Sequence, residues 1–94
     1  MALTEQELLV LISQESRWLI LETLLASQDA LTPILLSARL KIPADSISHH
    51  LVRLRRANLV ILIPSGPHSL YHPNRKELSR VAGVLTKALN KESL

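Results

Sequence analysis

Residues 41–71 pass from a short basic helix-forming stretch into two strand-forming runs, and this order of parts restricts the fold more than any other portion of the chain. Ile47, Leu51, Leu54 and Asn58 are spaced so that a helix of 3.6 residues per turn places them on one stripe, with the first three available as core contacts. The opposite pole then carries Asp45, His49, Val52, Arg53 and Arg56. Pro43 disfavours a helical conformation at Ile42 while suiting the start of this helix. Asn58, one of the few non-glycine residues that tolerates the left-handed conformation, suits its end. Beyond it, residues 60–63 and 69–72 are strand-like and are separated by Pro64, Ser65, Gly66, Pro67 and His68, which is hairpin punctuation.

The remaining sequence supplies helices. Thr4 caps a first helix, with Glu7 three residues later completing a capping box and Leu8, Leu11 and Ile12 forming its apolar stripe. Ser16 is the expected cap of a second helix to about residue 26, whose Trp18, Leu19, Ile20, Leu21, Leu24 and Leu25 are too numerous for one face and predict burial on most sides. Thr32 followed by Pro33 starts a third helix that runs to about residue 40, because proline at the first helical position forfeits no bond. A fourth covers about residues 44–57, and the tight break between the third and fourth makes a helix-turn-helix. A final helix over about residues 75–89 carries Leu78, Val81, Leu85, Ala88 and Leu89 on one side. The expected fold is mainly α (α+β), a winged helix-turn-helix of about five helices plus one β-hairpin wing, in a single domain over residues 1–94.

Composition excludes several functions. The chain has no cysteine, which rules out disulfides, thiolate metal sites and a cysteine nucleophile. Its longest apolar runs, LLVLI at residues 8–12 and WLIL at 18–21, fall far short of the roughly 20 residues a membrane span requires, and no secretory leader opens it. A cytoplasmic location without membrane association is the expectation. The net charge is only +3, but it is unevenly spread. Residues 1–38 hold Arg17 against Glu5, Glu7, Glu15, Glu22 and Asp29, whereas every other basic residue lies from Arg39 onward, opposed only by Asp45, Glu77 and Glu92. The second half therefore presents positive potential to a polyanion. Trp18 and Tyr71 are the only aromatic residues, too few to form the stacking platforms of single-strand and many RNA binders, so double-stranded DNA is the better-matched partner.

Three stretches resemble the ArsR/SmtB-type winged-helix repressors: SRWLILETLL at residues 16–25, LTPILLSARLKIP at 31–43, and SISHHLVRLRRANLV at 46–60. The last is the most specific, and the resemblance spans about residues 14–71. It implies a homodimer with the first and last helices at the subunit interface, the fourth helix in the major groove and the hairpin against the flanking backbone. Ala44, Asp45, Ser46, Ser48 and His49 then sit where the family reads DNA, with Arg53 and Arg56 on the same helix and Ser65 and His68 in the wing completing the candidate contacts. The chain departs from the family pattern at Ala44 and Asp45, where glutamine or serine is frequent, and at His68, where the wing often has arginine. An aspartate there repels phosphate but accepts a hydrogen bond from a cytosine amino group.

Metal sensing through the family's sites is not expected. Pro33–Leu40 has no cysteine, histidine or carboxylate, and residues 74–94 offer only Glu77 and Glu92. His49 and His50 point about 100° apart on a helix and do not form the pair that chelates zinc. His50 flanks the core stripe and reads as a partly buried packing residue, while His49 suits a base or phosphate contact. His68 and His72 lack further acid or thiol ligands nearby. Neither metal nor other cofactor is therefore anticipated. Catalysis is not expected either, since the chain lacks a glycine-rich phosphate loop and a nucleophile elbow, and Ser48 diverges from its neighbour His49.

The stripes Leu8, Leu11, Ile12 and Leu78, Val81, Leu85, Leu89 exceed what a small interior absorbs, and they predict a two-fold dimer. The leading functional expectation is a sequence-specific homodimeric transcriptional regulator, a repressor at an inverted-repeat operator. Two alternatives stand beside it: an adaptor that organises DNA along repeated sites, as in plasmid partition, and a winged-helix module devoted to protein assembly.

Overall fold

In the computed structural model, which describes residues 3–92 apart from the side chains of residues 88, 89, 91 and 92, the chain order is α1 (Glu5–Ser13), α2 (Glu15–Ala26), α3 (Pro33–Leu40), α4 (Ala44–Arg56), β1 (Val60–Ser65), β2 (His68–Pro73) and α5 (Arg75–Glu92). Five helices and a two-stranded antiparallel hairpin make the winged helix-turn-helix expected from the sequence.

Local signals set the helix starts. The Thr4 hydroxyl accepts from the Glu7 amide at 3.1 Å while the Glu7 carboxylate accepts from the Thr4 amide at 2.9 Å, so two amides that α1 cannot bond internally are both satisfied. The Glu7 carboxyl is held below its ordinary pKa by the bonds from the Thr4 backbone and hydroxyl. Thr32 caps α3, and Lys41 closes it in the left-handed conformation at φ 57°. The expected cap at Ser16 is corrected: Gln14 breaks α1 from α2 with an extended backbone, and its own side chain accepts from the Arg17 amide at 2.9 Å. Ser16 is the second residue of the helix.

One core joins all the elements. Ile20, Leu36, Ile47, Leu51, Leu54 and Leu59 are fully buried, with Leu24, Val60 and Val81 almost so. α2 is covered by α1, α3, α4 and β2, while α5 meets it at its C-terminal end, where Arg75 donates to the Leu25 carbonyl at 2.9 Å, and leaves an apolar hollow between them. Trp18 is consequently 52% exposed and Leu25 half-exposed, against the expectation that α2 is buried on most sides. The stripes assigned to a dimer interface are largely consumed within the chain. Leu8, Ile12 and Val81 are buried in its own core because α1 and α5 pack on each other, and they have no surface left for a partner. Leu11 and Leu78 are half-buried, Leu85 remains 57% exposed, and the Leu89 side chain lies outside those described. Arg80 bridges α1 and α5 with a 2.9 Å contact to Glu5 and also pairs with Glu77, pairs so exposed that they add little stability.

The hairpin is longer than the sequence suggested. Its register runs from Val60 opposite Pro73 to Ser65 opposite His68, leaving only Gly66 and Pro67 in the turn. Pro64 and Ser65 join β1 and His68 joins β2, since a two-stranded sheet has outward edges where a proline forfeits no ladder bond. Gly66 supplies the positive φ of 59° that the turn requires. Leu31 and Tyr71 exchange backbone bonds of 2.9 and 2.8 Å, which ties the wing to the segment before α3.

Candidate nucleic-acid interface

α4 is held rigidly by its apolar stripe. Ile47, Leu51 and Leu54 each have no exposed surface, so the helix cannot roll without opening the core. Its C-terminal end is also fixed. Asn58 takes φ 64°, the Leu59 amide donates to the Leu54 carbonyl, and Asn74 at the start of α5 donates its side-chain amide to the Asn58 carbonyl at 2.9 Å. These bonds set the direction in which the wing leaves the helix.

The face that remains outward is graded along its length. Ala44, Asp45, Ser46, Ser48 and His49 are all exposed in the first half of α4, where side chains are short or polar. Arg53, Arg55 and Arg56 are exposed in the last turn. The two ends are about 18 Å apart at 1.5 Å per residue, a span over which one helix can meet both a groove floor and the strand beside it. Ser65 and His68 face each other across the hairpin's far end, and both are exposed. Every residue singled out from the sequence for contact with DNA thus lies on the surface, on α4 or at the tip of the wing. Arg55 extends the arginine set beyond those residues.

His68 and His72 lie four positions apart along β2, which separates them by about 13 Å and leaves no shared coordination sphere. Among the described residues, no three His, Cys, Asp or Glu side chains converge in a geometry that holds a metal ion.

Arg17, one charge among many in the sequence, is the one buried charged residue among those described, 8% exposed, with its Nε donating to the Leu11 carbonyl. Burial, and then the positive charge of Arg53, lowers the Arg17 pKa from its ordinary value. His50 is half-buried as expected, and its Nδ1 is sealed from solvent without a hydrogen-bond partner. Burial first, then Arg17, Arg53 and His49, lowers the His50 pKa from its ordinary value of 6.5. The signal for Arg17 is its place as the lone cation of residues 1–38, directly before the apolar-rich run WLILETLL at residues 18–25.

No family model and no curated protein matches the chain. Solved structures do. The ArsR-like transcriptional regulator from Rhodococcus sp. RHA1 superposes with a TM-score of 0.80 at 26% identity, covering 92% of this chain and 77% of that one. HlyU from Vibrio vulnificus CMCP6, a transcriptional regulator, gives 0.68 at 27% identity over 86% of this chain and 82% of its own. HlyU from Vibrio cholerae N16961 gives 0.70 at 30% identity over 86% of both chains. With the helix order, the wing and this level of identity in agreement, the chain belongs to the ArsR/SmtB-type family of winged helix-turn-helix transcriptional regulators, which are not enzymes.

Proposed function

We propose that the chain acts as a homodimeric repressor that binds an inverted-repeat operator in double-stranded DNA, with α4 in the major groove and the hairpin tip against the backbone. The graded outer face of α4 carries this reading. Ala44, Ser46, Ser48 and His49 are small or polar enough to approach base edges, Asp45 can accept from a cytosine amino group, and Arg53 and Arg56 suit phosphates. Ser65 and His68 complete the contacts at the wing. Repression follows from occupancy, since a protein seated on a promoter excludes polymerase.

The experiment is a salt titration of duplex binding. Arg56→Ala is expected to weaken binding to all duplexes alike and to reduce the salt slope by about one, whereas His49→Ala changes the ranking of sequences. Equal slopes and rankings in wild type and both variants would remove α4 from the interface.

The dimer is supported by a surface that keeps Leu78 and Leu85 of the stripes first assigned to it and adds Leu9, Trp18 and Leu25. An apolar hollow of about 380 Å³ opens between α1, α2 and α5, with Leu9, Trp18, Leu25, Leu78 and Leu85 on its walls. A second copy related by a two-fold axis covers this hollow and places two α4 helices for half-sites whose centres are about 10 base pairs apart. Leu85→Glu is expected to weaken self-association at least about tenfold in sedimentation equilibrium, because it places an unpaired charge in the contact. A wild-type dissociation constant in that variant would locate the interface elsewhere.

A further inference from the structure

A second cavity, on another side of the molecule, lies between α1 and the C-terminal half of α4. It is an open groove of about 620 Å³, a size that accommodates a small molecule. Leu3, Val10 and Leu11 form an apolar wall, and Arg17, Arg53 and Arg56 form a cationic one. No acidic side chain among the described residues balances these arginines, because both ion pairs found there belong to Arg80. Glu7 also borders the groove and keeps its negative charge, but it forms no ion pair with these arginines.

Arg17 is what makes this a built site and not merely a basic surface. It is more than nine-tenths buried, its Nε is spent on the Leu11 carbonyl, and its two Nη groups have no hydrogen-bond partner among the described residues. The terminal fork is not sealed off but borders the open groove, and its geometry matches a carboxylate. Burial and the adjacent Arg53 work against its charge, and an anion entering the groove offsets the repulsion from Arg53. The apolar wall adds a requirement that a bare inorganic ion does not meet.

We propose that this groove binds a small amphipathic organic anion, a monocarboxylate with an apolar tail, its head on Arg17 and Arg53 and its tail along Val10 and Leu11. Such a ligand neutralises the C-terminal end of α4, where Arg53 and Arg56 are assigned to DNA phosphates. Occupancy therefore weakens duplex binding, and by linkage DNA weakens the ligand to the same degree. This regulatory consequence rests on the DNA-binding function proposed above; the anion site itself does not.

Calorimetry on the full chain without DNA tests the site, with decanoate as the probe and decan-1-ol, acetate and inorganic phosphate as comparisons. Decanoate is expected to bind at least about tenfold more tightly than each of the three, the size of one charge-assisted hydrogen bond or of a buried tail. Val10→Glu sets a carboxylate at the groove from an exposed position that leaves the core intact, and it is expected to weaken decanoate at least about tenfold. Arg17→Gln is expected to do the same, with circular dichroism reporting its folding. Equal binding of decan-1-ol, equal binding of phosphate, or wild-type affinity in Val10→Glu would each overturn the site. In a parallel duplex titration, decanoate is expected to lower DNA affinity in wild type and not in Val10→Glu. Decanoate binding without that effect overturns the regulatory link alone, whereas absence of duplex binding at any salt concentration overturns the DNA-binding function and leaves the calorimetry to judge the groove.

Discussion

Ser48→Glu is expected to lose duplex binding by at least about a hundredfold at 0.15 M salt, roughly 2.7 kcal/mol, while the protein stays folded. Ser48 is exposed in the second turn of α4, on the half of the outer face where side chains are short. A glutamate there adds bulk to a surface that has to approach base edges. It also brings a negative charge toward the phosphates on either side of the groove, beside the negative charge of Asp45. The substitution is mild for the fold, since glutamate is a good helix former and a carboxylate in the N-terminal half of a helix is not opposed by its dipole. Fluorescence anisotropy with a labelled operator measures the affinity, and a thermal melt of the same sample measures the fold. Near-wild-type affinity with an unchanged melt would show that the N-terminal half of α4 does not meet DNA.

The second large effect is on stability. Leu51 is fully buried in the cluster that includes Ile20, Leu24, Ile47 and Leu54. Leu51→Ala is expected to destabilise the protein by about 3 kcal/mol, as lost burial and a residual cavity add together, and to lower the melting temperature by about 10–25 °C. Val52, the next residue, is 41% exposed, and Val52→Ala is expected to change stability by less than about 0.5 kcal/mol. Chemical denaturation of both variants makes the comparison. Similar losses at the two positions would mean that α4 is rotated from the orientation that presents its arginines outward, and the DNA-binding face would fall with it.

These two neighbours illustrate how much was legible beforehand. The Ile47, Leu51 and Leu54 stripe, the Thr4 capping box, the Thr32 and Pro33 start and the left-handed Asn58 are all evident in the sequence, because each depends on residues within about one helical turn of one another. The outward pole of α4 with Asp45, His49, Arg53 and Arg56 was legible for the same reason, because a buried stripe defines the opposite face, whereas Ala44, Ser46 and Ser48 came from the family resemblance. The hairpin was legible as a pair of strands but not in its length, since pairing at Pro64 and Ser65 depends on partners in β2. Leu31 and Tyr71 pair at one residue each, and so short a bridge leaves no periodic pattern.

Charge, composition and 3.6-residue spacing by themselves determined the elements, their order and the outward face of α4, because these are local consequences of side-chain chemistry. The tertiary structure alone decided which faces are covered. α5 reaches back to α1, with Arg80 meeting Glu5 across most of the chain, and that packing buries Leu8, Ile12 and Val81 while leaving Trp18 and Leu85 open. The apposition of α1 and α4 likewise forms the groove into which Arg17 points, and no local pattern contains it. Burial is set by whichever distant segment arrives on a face, and that information resides in the packing of the whole chain and not in any single stretch of it.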